Sequence, residues 1–119
     1  MSETLFDKYG GFTAVSEIVH SFYEKVMDED SLRHYFQGID MERLARHQTD
    51  FLTMVFGGPV NYSQQALRES HRRLKIIEED FDCVADLLEE ALEEADVDDD
   101  DIATVMQVIL SYKDDIVSA

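Results

Sequence analysis

Apolar residues recur along this chain at steps of three and four. Phe12, Val15, Ile18, Val19, Phe22 and Val26 describe one amphipathic helix, which a short leader ending in Tyr9-Gly10-Gly11 precedes and Asp28-Glu29-Asp30-Ser31 ends. Leu32 to Phe36 reads as an apolar and aromatic corner closed by Gly38. From Met41 to Phe56 a second helix places Leu44, His47, Gln48, Phe51, Leu52 and Val55 on one face, and Gly57-Gly58-Pro59 breaks it. Val60 to Gln65 is polar and irregular, and a short helix follows in which Leu67, His71 and Leu74 fall at i, i+4 and i+7. Phe81, Val84, Ala85, Leu88, Ala91, Leu92 and Ala95 form a third long stripe. After a turn at Val97 to Asp101, whose last aspartates can cap the next helix, Ile102, Val105, Met106, Ile109, Tyr112 and Ile116 give a fourth. No stretch alternates as a strand would, so the expected fold class is all-α.

Four polar groups interrupt or border these stripes. A buried imidazole needs a partner for each ring nitrogen, and His71 sits in mid-stripe. A core histidine satisfied by hydrogen bonds is the default reading for such a residue. His47 and Gln48 break the second stripe in the same way, on a different element. Tyr23 stands beside Phe22 at a stripe edge, where its ring can be buried while its hydroxyl seeks a polar partner.

Composition narrows the picture. A length of 119 residues suits one domain, 1–119, with one core. No apolar run reaches the length of a membrane span and the start has no signal-peptide character, so a cytoplasmic protein free of membranes is expected. Cys83 is the sole cysteine, which rules out an internal disulfide and any metal cluster built on cysteines. The net charge of −17 argues against nucleic acid as a partner. Seven of the ten basic residues (Arg33, Arg43, Arg46, Arg68, Arg72, Arg73, Lys75) nevertheless lie between positions 33 and 75. Such a rim could pair with a carboxylate-bearing ligand, or simply balance nearby acids on solvated helix faces.

The acidic loop around Asp96, Asp98, Asp100 and Asp101 lacks the glycine and glutamate that a calcium-binding EF-hand requires at its sixth and twelfth positions. No His-Glu-x-x-His, P-loop or dinucleotide fingerprint is present, and the repeated Glu-x-x-His pairs of a di-iron bundle are missing. Inward histidines on two helical elements, together with Phe12, Phe22, Tyr23, Tyr35, Phe36 and Phe51, leave haem as a candidate. One iron held by an imidazole in a flat apolar slot would use these parts. The periodicity makes that possible without establishing it.

The stretches Leu5-Phe6-Asp7-Lys8-Tyr9-Gly10-Gly11, Phe22-Tyr23-Glu24-Lys25-Val26, Phe36-Gln37-Gly38-Ile39-Asp40-Met41, His47-Gln48-Thr49-Asp50-Phe51-Leu52, Phe56-Gly57-Gly58-Pro59 and Leu67-Arg68-Glu69-Ser70-His71 occur in one order. In that order and spacing the chain resembles the truncated haemoglobins, most closely the group I type. The resemblance implies a two-over-two helical sandwich around haem b and its iron. It further implies His71 as proximal iron ligand, Phe36 as the aromatic packed on haem, Phe51 as a pocket wall, and Tyr23 and Gln48 as distal groups that hydrogen-bond a bound gas. Arg46 and Arg72 become candidates for the haem propionates. Leu44 occupies a distal position where many relatives place glutamine, and a leucine donates no hydrogen bond. His47 matches a position that in some cyanobacterial relatives binds the iron as a sixth ligand. Some relatives attach haem covalently through a histidine in the last helix; no histidine follows His71 here, so non-covalent haem is expected.

On this resemblance the expected function is binding of oxygen, nitric oxide or carbon monoxide at haem iron, for oxygen storage, transport or sensing. Nitric oxide dioxygenase activity, fed by an unidentified electron donor, is the enzymatic alternative, and electron transfer by a bis-histidine haem is a third. The chain is expected to be a monomer.

Overall fold

The computed structural model of the chain describes residues 4–60 and 76–117, and it starts with a helix where the pattern suggested only a leader. Helix α1 spans Leu5–Tyr9 and is capped by Thr4, whose Oγ1 accepts a hydrogen bond from the Asp7 N–H at 3.1 Å. Five residues are too few to show a stripe. The helix is held from outside, by the Phe6 N–H donating to the Phe56 carbonyl at 2.9 Å and by the Phe6 ring packing edge-on to Phe12. Gly10 ends α1 at φ 111°, a left-handed conformation that side chains rarely adopt, and α2 begins at once.

Helix α2, Gly11–Asp28, is the central element, burying Val15, Ile18, Val19, Phe22 and Val26. Phe12, expected on that stripe, is 47% exposed, because it lies in the first turn of α2 and meets Phe6 before the core begins. A one-turn helix, α3 (Asp30–Arg33), anchors through the fully buried Leu32 and runs into a 3₁₀ turn at His34–Phe36.

Helix α4, Met41–Val55, starts at Asp40, whose carboxylate accepts from the N–H groups of Glu42 and Arg43. It stops at the expected glycine pair. A Cβ on Gly58 would lie 2.6 Å from Thr53 Cγ2 and 2.7 Å from the Phe6 ring, so the chain's close return past α1 needs glycine there. The stretch expected to form a short helix around His71, with Leu67, Arg68, Arg72 and Leu74, lies outside the described residues.

Helix α5, Glu78–Glu94, has Glu78, Glu79 and Asp80 in its first turn, where the helix dipole favours negative charge. Its buried line of Phe81, Ala85, Leu88, Ala91 and Leu92 is the expected third stripe. Helix α6, Asp99–Ser111, buries Ile102, Val105 and Ile109. Two details of the last stripe differ from expectation. The N-cap residue Asp98 makes no side-chain cap, since its carboxylate is engaged by Lys8 at 3.0 Å. The stripe also breaks at Tyr112, and Lys113–Ile116 forms a separate turn, α7, before Val117 bridges to Ile76.

Helix α2 packs on both α4 and α5, α5 packs on α6, and α4 touches α6. This is the two-over-two sandwich, with Phe22, Leu52, Phe56, Leu88, Leu92 and Val105 in its shared core. Among the described residues no helix is long and apolar enough to cross a membrane.

Candidate functional site

The candidate residues fall on three neighbouring elements. On α2, Phe22 turns into the core while Tyr23, one residue on, is only half-buried, with the two rings tilted and 5.1 Å apart. Their adjacency on a helix forces this split, because residues one apart cannot share a face. The 3₁₀ turn brings Phe36 edge-on to Tyr23, ring centroids 6.1 Å apart at 83°. On α4, Leu44, Gln48 and Phe51 succeed one another at i, i+4 and i+7; the first two are half-buried and Phe51 is buried. The Phe51 ring meets Tyr112 edge-on at 5.5 Å, which ties this wall to the chain's C-terminal turn.

Arg46 and His47 on the same helix are both exposed; His47, at i+3 from Leu44 and i−4 from Phe51, borders that line, as the sequence pattern placed it, but is not buried. Tyr23, His47 and Phe51 each make additional interactions in the fold. His71 and Arg72 lie outside the described residues. The structure thus brings Tyr23 and Phe36 together, and gives Leu44, Gln48 and Phe51 a common line.

One aromatic residue of this region, Tyr112, was not singled out by the sequence, and Tyr35 was read only as one aromatic among several, without its partner. Tyr112 looked like ordinary stripe, although a tyrosine at the end of an apolar line carries the same signal that marked Tyr23. Tyr35 donates a hydrogen bond from its hydroxyl to Asp80 on α5 and packs on the exposed His34 ring, centroids 4.0 Å apart. Burial pushes the Tyr35 hydroxyl pKa up, and the Asp80 carboxylate pushes it the same way. Burial likewise raises the pKa of the Cys83 thiol, with Glu29, Asp80 and Asp86 adding to the effect, so this thiol stays protonated and unreactive at neutral pH.

A flat apolar cofactor with a metal at its centre requires side chains that the chain itself leaves partly uncovered. Tyr23, Phe36, Val84, Leu87, Met106 and Tyr112, contributed by α2, the 3₁₀ turn, α5, α6 and the residue after it, are all packed on the core yet only half-buried. None is charged. With Gln48 as a polar group on α4, these residues fit haem. Among the described residues no group of three or more His, Cys, Asp or Glu side chains comes together as a metal site. An open hollow of about 300 Å³ between α2 and the end of α5, lined by Tyr9, Glu17, Ser21 and Glu94 among others, involves none of the candidate residues.

The profile of the bacterial-like globin family matches residues 4–118. A group 1 truncated haemoglobin from Synechocystis is 41% identical over 109 residues, spanning 88% of this chain and 88% of that protein. Another, from Tetrahymena thermophila, is 38% identical over 106 residues, spanning 89% and 88%. Among solved structures, the truncated haemoglobin of Tetrahymena pyriformis in its Fe(III) form superposes with a TM-score of 0.88 at 32% identity, over 98% of this chain and 100% of that one. The 2/2 haemoglobin of Synechococcus, in the cyanomet state with covalently attached haem, gives 0.89 at 29% identity over the same shares.

Proposed function

Because the chain belongs to the bacterial-like globin family, we propose that it is a haem protein that binds dioxygen and other diatomic gases. The observation that carries this reading is the edge-on pair of Tyr23 and Phe36, half-buried and uncharged, beside a line of Leu44, Gln48 and Phe51 on α4. When bound, haem b would supply an iron that an imidazole could hold and that could take up a diatomic gas.

Each role then comes from the chemistry of a side chain. His71 supplies the proximal imidazole. Phe36 packs against the macrocycle, and Phe51, held by Tyr112, backs the pocket wall. The Tyr23 hydroxyl donates a hydrogen bond toward the gas, and the Gln48 amide adds a second donor. Leu44 donates nothing and excludes water, so retention of a polar gas rests on Tyr23 and Gln48. Arg46 and Arg72 pair with the propionates, for which the exposure of Arg46 is suitable. His47, exposed on the helix that carries Gln48, would be able to hold the iron in place of gas and so lower apparent affinity by the fraction of time it is bound. No histidine follows His71, so haem is held without a covalent bond to a later helix. Residues 1–119 act as one domain, monomeric and cytoplasmic, kept ferrous by an unidentified electron donor.

Titrating the reduced protein with carbon monoxide while recording its absorption spectrum tests this function. One equivalent of gas per chain, with a shifted Soret band, is the expected result; a spectrum that carbon monoxide leaves unchanged contradicts it. A low-spin six-coordinate spectrum that becomes five-coordinate in His47→Ala supports the role of His47, and an identical spectrum removes it. Rapid mixing of the oxygenated protein with nitric oxide separates a gas carrier from a nitric oxide dioxygenase.

A further inference from the structure

The 3₁₀ turn that carries Phe36 is three residues long and has little of its own to hold it. Upstream it is pinned by Leu32, which is fully buried. Downstream, Gly38 sits at φ 75°, where a Cβ would meet nothing within 4 Å among the described residues, and the Ile39 N–H donates back to the Phe36 carbonyl at 3.2 Å. Between these points the Tyr35 hydroxyl ties the turn to the start of α5: it donates to the Asp80 carboxylate across 45 positions of sequence and also meets the Ile77 backbone. Asp80 is half-buried in the first turn of α5, where the helix dipole stabilises its charge, and a hydrogen bond to a carboxylate is stronger than one between neutral groups. The exposed His34 ring covers the Tyr35 ring from outside. Phe36 is the next residue, and its ring bears on Tyr23.

We propose that Tyr35 and Asp80 are positioning residues for the distal tyrosine: their hydrogen bond holds the 3₁₀ turn against α5, and the turn holds Phe36 edge-on to Tyr23. This role rests on the gas-binding function of the haem protein. Neither residue touches haem or gas in this scheme. They act through the Phe36 ring, whose place limits how far the Tyr23 ring can swing. Without the tie, the turn relaxes between Leu32 and Gly38, and Tyr23 samples a wider range of positions.

The test uses holoprotein with Tyr35→Phe, Asp80→Ala and Asp80→Asn, the last keeping an acceptor oxygen for the Tyr35 hydroxyl. Three quantities are read: the carbon–oxygen stretch of the carbon monoxide complex, the rate of oxygen release, and the melting midpoint. Tyr35→Phe and Asp80→Ala are expected to broaden the stretch and to speed oxygen release roughly threefold to tenfold. The double variant should be no worse than either single one, and Asp80→Asn should stay near wild type. Variants that lower only the melting midpoint, with wild-type stretch and release rate, overturn the inference, because a merely structural contact would behave that way. A wild-type protein that takes up no haem overturns the proposed function and this inference with it, and so the two failures are distinguishable.

Discussion

At the scale of single residues, the proposed gas-binding role rests most on Tyr23. A neutral hydrogen bond to a gas is worth about 1.4 kcal/mol where water is excluded, and Tyr23→Phe is therefore expected to speed oxygen release roughly tenfold. Stopped-flow displacement by carbon monoxide measures it, and an unchanged rate would move the donor role to Gln48. Thr53 makes the opposite kind of prediction. Its side chain is fully buried on α4, yet its Oγ1 has no hydrogen-bond partner among the described residues, and burying an unsatisfied hydroxyl costs about 1–3 kcal/mol. Thr53→Val keeps the branched shape and removes that cost, so the melting midpoint should rise, by roughly 4 °C for each kcal/mol recovered. A fall would show that the hydroxyl is satisfied in solution. Single residues were legible in the sequence where a polar group interrupted a stripe, as with Tyr23 and Gln48. Tyr35 was not legible, because its partner Asp80 is 45 positions away and nothing local marks the pair.

At the scale of elements, α2, α4 and α5 could be read directly because each is long enough to repeat its apolar spacing several times. Helix α1 could not, since it owes its existence to contacts made elsewhere. Lys8 pairs with Asp98 and, at 2.7 Å, with Asp101, while the Tyr9 hydroxyl donates to Asp101 and accepts from the Asp98 N–H. These bonds fasten α1 to the start of α6. The hydrogen bond from Lys8, then that from Tyr9, holds the Asp101 carboxyl below its ordinary pKa, and the same carboxylate holds Lys8 above the usual ammonium range. A depressed carboxyl pKa contributes stability that is complete above its unfolded value and vanishes as pH falls through its folded one. The raised lysine contributes below its unfolded pKa and is lost as pH rises through the folded one. The fastening is therefore intact across the neutral range and weakens at both extremes. Chemical denaturation across acid pH should show a loss of stability that Asp101→Asn flattens; parallel curves for variant and wild type would mean that the acid loss arises elsewhere.

At the scale of the whole molecule, several uncharged side chains packed on the core of the sandwich stay half-buried. Helix α2 shares its buried line with both α4 and α5, leaving Tyr23 at the margin, and α6 with the following turn brings Met106 and Tyr112 to similar half-burial. The sequence could indicate four apolar stripes but not which residues would stay half-covered, because that depends on how the helices cross. His47, which the sequence placed beside Leu44 and Phe51, borders their line on α4 and is exposed. The proximal side of the haem is carried by resemblance alone, through His71, and it is open to one direct measurement. Purified His71→Ala should fail to retain haem at one equivalent per chain, and what little remains should lack the histidine-ligated ferrous spectrum of the wild type. Full stoichiometric haem with an unaltered spectrum in that variant would contradict the account at its centre.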